Sequence, residues 1–171
     1  MRVSILTTGG TISKTYDERE GALRNVRSVL DHILADLRLP DLFIRHGVVM
    51  NKDSLDLTDD DRDFILAAVR DALPSSDAVV VLHGTDTLAR TGELLHHELE
   101  HLDVPVILTG AMRPYEFRDS DALQNVTEAL LAARLVAPGV YAVMHNRVLP
   151  FPGVAKDRRA LTFRIGPDVA G

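Results

Sequence analysis

Side chains able to do chemistry crowd into a few short stretches of this chain, and the first arrives at once: TTGGTISKTY, residues 7–16. These ten residues hold four threonines, a serine, a lysine and a tyrosine around two adjacent glycines. Three more such stretches follow: Asp53-Ser54-Leu55-Asp56-Leu57, His83-Gly84-Thr85-Asp86-Thr87 and Gly110-Ala111-Met112-Arg113-Pro114. Glycines beside a threonine let backbone N–H groups approach a ligand closely and can build an anion-binding nest. A threonine hydroxyl is a weak nucleophile until a base or charged partner activates it. Candidate activators are Tyr16, Asp86 and a lysine such as Lys156, and Lys paired with Asp can do this without histidine. Singly, Gly-Gly turns and threonine caps are ordinary ends of buried strands. Their placement is what sets them apart.

The elements that must position them read as strands alternating with helices. Val3 to Thr7 has the composition of a buried strand. Asn25 is in place to cap a helix whose apolar residues Val26, Val29, Leu30, Ile33, Leu34 and Leu37 keep helical spacing. Pro40 ends it, and Leu42 to Met50 reads as a second strand. Thr58-Asp59-Asp60-Asp61 forms a capping box for a helix that buries Phe64, Ile65, Ala68, Val69 and Ala72. Ala78 to Leu82 is a wholly apolar strand, followed by a helix over about Thr87 to Leu102. Val104 to Thr109 is a fourth strand. A long helix from near Ser120 aligns Leu123, Val126, Leu130 and Ala133. Val140 to Met144 is a fifth strand, and a less regular tail runs from Val148 to Gly171.

Continuous apolar strands separated by amphipathic helices imply an α/β fold with a doubly wound, mostly parallel, flavodoxin-like sheet. Right-handed crossovers put every strand-to-helix turn on one edge of such a sheet, the edge where ligands bind. All four polar stretches fall in those turns. The pattern predicts a site for a small polar molecule.

Composition narrows the classes. The 171 residues suit a single domain, which would bury about 70% of its extended-chain surface without a metal or disulfide. A net charge of −6 argues against nucleic acid or an anionic membrane as partner. The absence of cysteine excludes disulfides, thiolate metal sites and a cysteine nucleophile. The longest apolar run is far short of a membrane span, and the first apolar stretch is too short for a signal peptide. The expected location is the cytoplasm.

Taken together, the four stretches resemble the bacterial-type L-asparaginase/glutaminase family, over about Val3 to Phe163. The resemblance corresponds to the larger, N-terminal domain of those enzymes, with no counterpart of their smaller C-terminal domain. The expectation is one catalytic domain over residues 1–171. By resemblance, Thr11 is the nucleophile that attacks a side-chain amide carbon, and Tyr16, on a loop that closes over the ligand, assists its proton transfer. Thr85, Asp86 and Lys156 form a second hydroxyl–carboxylate–amine set. Gly10, Asp53, Ser54, Gly84, Thr85 and Asp86 bind substrate: Ser54 its α-carboxylate, Asp86 its α-ammonium, and backbone N–H groups near Gly10 and Thr85 the oxyanion.

The resemblance also implies a small-molecule substrate, L-asparagine or alternatively L-glutamine, a homo-oligomer, and neither cofactor nor metal. Two departures loosen recognition. Classical members orient the loop tyrosine with an acidic residue from a neighbouring subunit's C-terminal domain; here Tyr16 must act alone, with Asp17 or Glu18, or with another subunit's main domain. Leu55 stands where many secreted members carry glutamine. An ammonia-donating amidotransferase subunit and a non-catalytic amino-acid-binding module are the rival readings.

His97-Glu98-Leu99-Glu100-His101 matches the zinc-peptidase pattern H-E-x-x-H. On a helix, His97 and His101 turn away from the stripe of Leu95 and Leu99, whereas a zinc site needs them in an enclosed cleft with a third ligand. The expectation is a solvated face. His32, His46, His83 and His145 suggest no ligand set.

Overall fold

Alternation decides how the central strands pack. Ala78, Val80 and Leu82 belong to one apolar cluster, whereas Val79 and Val81 belong to another. A strand apolar on both faces needs a helical layer on each. A computed structural model describes residues 1–17, 22–25 and 29–166 and shows both layers. In chain order the elements are β1 (Arg2–Gly9), β2 (Lys14–Asp17), β3 (Ala22–Asn25), α1 (Leu30–Asp36), β4 (Phe43–Lys52), α2 (Asp59–Ala72) and β5 (Ala78–Leu82). There follow α3 (Leu88–Glu98), β6 (Pro105–Thr109), α4 (Ala122–Leu135), β7 (Gly139–Met144), β8 (Arg147–Pro150), β9 (Val154–Asp157) and β10 (Thr162–Ile165).

The main sheet runs β4-β1-β5-β6-β7-β8, parallel except for β8. Leu30, Ile33, Val126, Ala129 and Leu130 of α1 and α4 cover one face. Ile65, Val69, Leu88 and Leu95 of α2 and α3 cover the other. Each such side chain, fully buried, contributes roughly 1.5–3 kcal/mol relative to exposure. This is the flavodoxin-like order, and its reversal lies between β1 and β5. Among the described residues, no helix is long and apolar enough to cross a membrane.

The structure corrects the sequence reading in five places. Asn25 ends β3, which pairs with β2, so the expected helix is shorter; Val29 occupies its cap position and no side chain caps it. Val26 falls outside the described residues. Phe64 is 67% exposed, because the buried stripe of α2 is rotated toward Asp61 and Arg62. Arg62 is drawn in by Leu57 O and Thr58 O, which accept from its Nη1 at 3.0 and 2.9 Å. Leu123 is likewise exposed on α4, where Asn125 takes the buried position. The expected helix over Thr87 to Leu102 spans only Leu88 to Glu98. Finally, the tail expected to be less regular from Val148 holds strands up to Ile165: β8 pairs antiparallel with β7, and β9 with β10, while residues 167–171 fall outside the described residues.

The capping box at α2 forms as expected. Thr58 Oγ1 accepts from the Asp61 amide, and Asp61 Oδ2 accepts from the Thr58 amide at 2.9 Å. Lys52 donates to Asp61 Oδ1 at 2.6 Å; this bond, with those from Thr58, holds the carboxyl down at about 2. The box therefore links the end of β4 to the start of α2. Thr58→Ala is expected to lower unfolding free energy by about 1 kcal/mol in urea denaturation, with Thr58→Ser restoring most of it. An unchanged midpoint for Thr58→Ala would show that the cap is dispensable.

Candidate functional site

At the reversal point, the turns after β1, β4 and β5 converge. A Cβ placed on Gly10 would lie 2.5 Å from Gly84 Cα, and one placed on Gly84 would lie 2.6 Å from both Cβ and Oγ of Ser54. No side chain fits at either position, so the main chains of the two loops touch. Thr8 Oγ1 donates to Leu82 O at 3.1 Å, and the Gly10 amide donates to Lys52 O at 3.0 Å. These bonds close β1 onto β5 on one side and β4 on the other. The Gly10 N–H is therefore spent on the fold.

His83 shapes the third turn. It is fully buried, and burial pushes its imidazole down to about 4, so the ring is neutral at pH 7. Nδ1 lies 2.8 Å from Gly84 O, which can only accept, so Nδ1 carries the proton and Nε2 accepts from Thr91 Oγ1 at 2.9 Å. In a planar trans peptide, a Gly84 carbonyl held toward His83 turns the Thr85 N–H away from it. Among the described residues that N–H has no hydrogen-bond partner.

Lys156 joins this turn from β9. Its Nζ donates to Thr85 Oγ1 at 2.8 Å and to Asp86 Oδ1 at 2.9 Å, with only 12% of the side chain exposed. Because Lys156 donates to Thr85, the Thr85 hydroxyl proton is directed elsewhere. Strand β9 reaches the site because the ring of Phe151 seats on Gly92 of α3, and Phe163 of β10 is buried in the same cluster. Arg158 also donates to Asp86 Oδ1, at 3.3 Å.

The remaining expected residues are placed as follows. Ser54 Oγ is buried and has no partner among the described residues, although the Ser54 carbonyl accepts from Thr87 Oγ1 at 2.8 Å. A buried hydroxyl without a partner is costly unless a ligand or water satisfies it. Asp53 caps a short 3-10 turn by accepting from the Leu55 amide at 3.1 Å, which sets Ser54 at the turn's first position. Thr11 follows Gly10 directly, and its hydroxyl has no partner among the described residues. Tyr16 lies on β2 rather than on an irregular loop, with its side chain 57% exposed and its amide donating to Glu116 Oε2 at 2.9 Å.

Sequence reasoning missed several of these contacts. Arg158 sits two residues from Lys156, in the turn just past the end of β9. No local pattern announces Glu116, a hundred residues from Tyr16. Asp121 was also missed: its carboxylate accepts from the Met112 and Arg113 amides, Asn125 Nδ2 and His145 Nε2, each at 2.8–3.0 Å. Burial opposes its ionisation, but these bonds outweigh burial and hold it at about 2. They fix the turn after β6. The H-E-x-x-H histidines do not share a helix, since α3 ends at Glu98 and His101 has φ +53°. Among the described residues, no group of three His, Asp or Glu side chains is placed to hold a metal ion.

The family model described as asparaginase, N-terminal, matches residues 2–159. The chain belongs to the asparaginase family. It is 34% identical over 158 residues to an L-asparaginase of Thermococcus kodakarensis, covering 91% of this chain and 48% of that protein. A solved structure of the thermostable L-asparaginase from Thermococcus kodakarensis superposes with a TM-score of 0.89 at 31% identity, covering 99% of this chain and 53% of that one. A glutamyl-tRNA(Gln) amidotransferase subunit of Methanococcus vannielii is 32% identical over 148 residues, covering 85% of this chain and 34% of that protein. The chain thus spans about half the length of the asparaginases it matches.

Within this asparaginase-family site, His83 makes a pH test possible. Its folded value of about 4 lies below its unfolded value of 6.5, so its contribution to stability is full above pH 6.5 and is lost as pH falls toward 4. Asp61 and Asp121, held at about 2, act only below pH 3.8. Urea midpoints should therefore decline between pH 6.5 and 4, and His83→Gln should flatten that decline. An identical slope in the variant would place the titration elsewhere.

Proposed function

We propose that this protein is an amidohydrolase that transfers the acyl group of a small carboxylate-bearing amide, L-asparagine foremost, to Thr11 and then to water. The observation that carries the reading is Lys156 Nζ bridging Thr85 and Asp86 beside the hydroxyls of Thr11 and Ser54, neither of which has a hydrogen-bond partner among the described residues. An amine–carboxylate pair on one hydroxyl, next to a second free hydroxyl, is the equipment of a two-step acyl transfer.

In the first step Thr11 Oγ1 bonds to the amide carbon while its proton passes to the amide nitrogen. The C–N bond then breaks and ammonia leaves. Tyr16 carries that proton once its hairpin turns the side chain over the ligand. The oxyanion is stabilised by the Thr85 N–H, and donors of this kind are worth about 10²–10³-fold in rate. In the second step a water polarised by Thr85, itself held by Lys156, attacks the Thr11 ester; acid forms and the proton returns to Thr11. Ser54 Oγ binds the substrate carboxylate, and Asp86 Oδ2, which accepts no bond among the described residues, is open to an α-ammonium. Asp53, Gly10 and Gly84 hold the surrounding backbone. We place this chemistry in one catalytic domain over residues 1–171, acting in the cytoplasm as a homo-oligomer.

A second reading has support in the relatives named as glutamyl-tRNA(Gln) amidotransferase subunits, at 32–36% identity. In that case ammonia passes to a partner protein, and hydrolysis of free amides is poor. Steady-state ammonia release from asparagine and glutamine separates the two readings.

The division of labour between the threonines is open to direct test. Thr11→Ala should abolish both acylation and turnover. Thr85→Val should lose ~10²–10⁴-fold in turnover while an ester accumulates on Thr11 over minutes. Mass spectrometry after mixing each variant with asparagine locates the adduct. An adduct on Thr85 in the Thr11 variant, with none on Thr11 in the Thr85 variant, would reverse the assignment.

A further inference from the structure

Two cations share one oxygen of Asp86. Lys156 Nζ donates to Oδ1 at 2.9 Å, and Arg158 Nη1 donates to the same atom at 3.3 Å. Lys156 is nearly covered, whereas the Arg158 side chain is 61% exposed. Its backbone is fixed by a built turn: Asp157 Oδ1 accepts from the amides of Arg159 and Ala160 at 3.1 and 2.9 Å. Two positive groups around one carboxylate leave the cluster net positive. An arriving ammonium meets a carboxylate already more than neutralised, while an arriving carboxylate meets a guanidinium that presents several N–H donors.

We propose that Arg158 is a specificity-determining residue, which weakens any preference for an α-ammonium and extends the site to small carboxylate-bearing amides that lack one, such as succinamic acid. The substrate class rests on the amidohydrolase reading; the excess positive charge follows from the contacts of Asp86 alone. The effect is modest in size, because an exposed charge moves an equilibrium by only about threefold, and it weakens with added salt.

The test measures equilibrium binding of L-aspartate and succinate by calorimetry, using the full chain as wild type, Arg158→Ala and Arg158→Lys. Arg158→Ala should tighten aspartate and weaken succinate by about threefold each, changing their Kd ratio by about tenfold. Arg158→Lys, which keeps the charge, should stay near the wild-type ratio. Thermal melts of each variant confirm folding, which an exposed side chain should leave intact. A ratio unchanged in Arg158→Ala overturns the proposal, as does failure of the wild type to bind either dicarboxylate. Ammonia release from asparagine and succinamic acid is followed in parallel. If the ratio shifts but neither amide is hydrolysed, the amidohydrolase reading fails while the role of Arg158 in ligand preference stands.

Discussion

Gly10 and Gly84 meet main chain to main chain at the point where the strand order reverses, and the rest of the site depends on that contact. Both β1 and β5 must stop short with no side chain between them for their turns to share one crevice. A methyl group on either residue would push the turns apart or into Ser54. Thr11 is the next residue after one glycine and Thr85 the next after the other, so the contact sets the distance between the two hydroxyls. The stitching around it is polar and local: Thr8 to Leu82 O, Gly10 to Lys52 O, and His83 to Gly84 O and Thr91. A neutral, buried His83 costs little at pH 7 and fixes a peptide plane, which a flexible glycine turn does not do unaided.

The electrostatics come from the other end of the chain. Lys156 reaches Thr85 because the β9–β10 hairpin packs Val154 and Phe163 into the cluster beneath α3. Arg147 Nη1 donates to Phe163 O at 3.1 Å, and His145 Nδ1 lies 3.0 Å from Thr162 Oγ1, tying that hairpin to the β7–β8 turn. His145 also bonds Asp121, which holds the turn after β6. One connected set of bonds thus runs from the last hairpin through Asp121 to the turn after β6. Lys156 Nζ, held by Thr85 and Asp86 on a side chain that is nearly covered, has little freedom left to lose, which favours a preorganised cluster over a solvated one.

Much of this was legible before the structure, for a physical reason. Buried parallel strands such as Ala78–Leu82 announce themselves by unbroken apolar runs, and sheet topology then gathers their polar turns on one edge. What resisted reading was non-local. Asn25 and Val26 match a helix locally, yet β3 forms because β2 is there to pair with it. Phe64 lost its buried place to Arg62, whose partners are carbonyls of the preceding turn. The Glu116–Tyr16 bond spans a hundred residues, and no spacing rule reaches that far. Lys156 follows from resemblance to a family, whereas the hairpin that delivers it reads in the sequence as part of a less regular tail.

Every role assigned to these residues depends on where a ligand sits. A crystal structure with saturating L-aspartate or succinate tests this most directly. The ligand should lie across the Gly10–Gly84 contact, with one carboxylate within hydrogen-bond reach of Ser54 Oγ and the other between Thr11 Oγ1 and the Thr85 N–H. A ligand bound elsewhere, with Ser54 Oγ still unpartnered, would contradict the central claim.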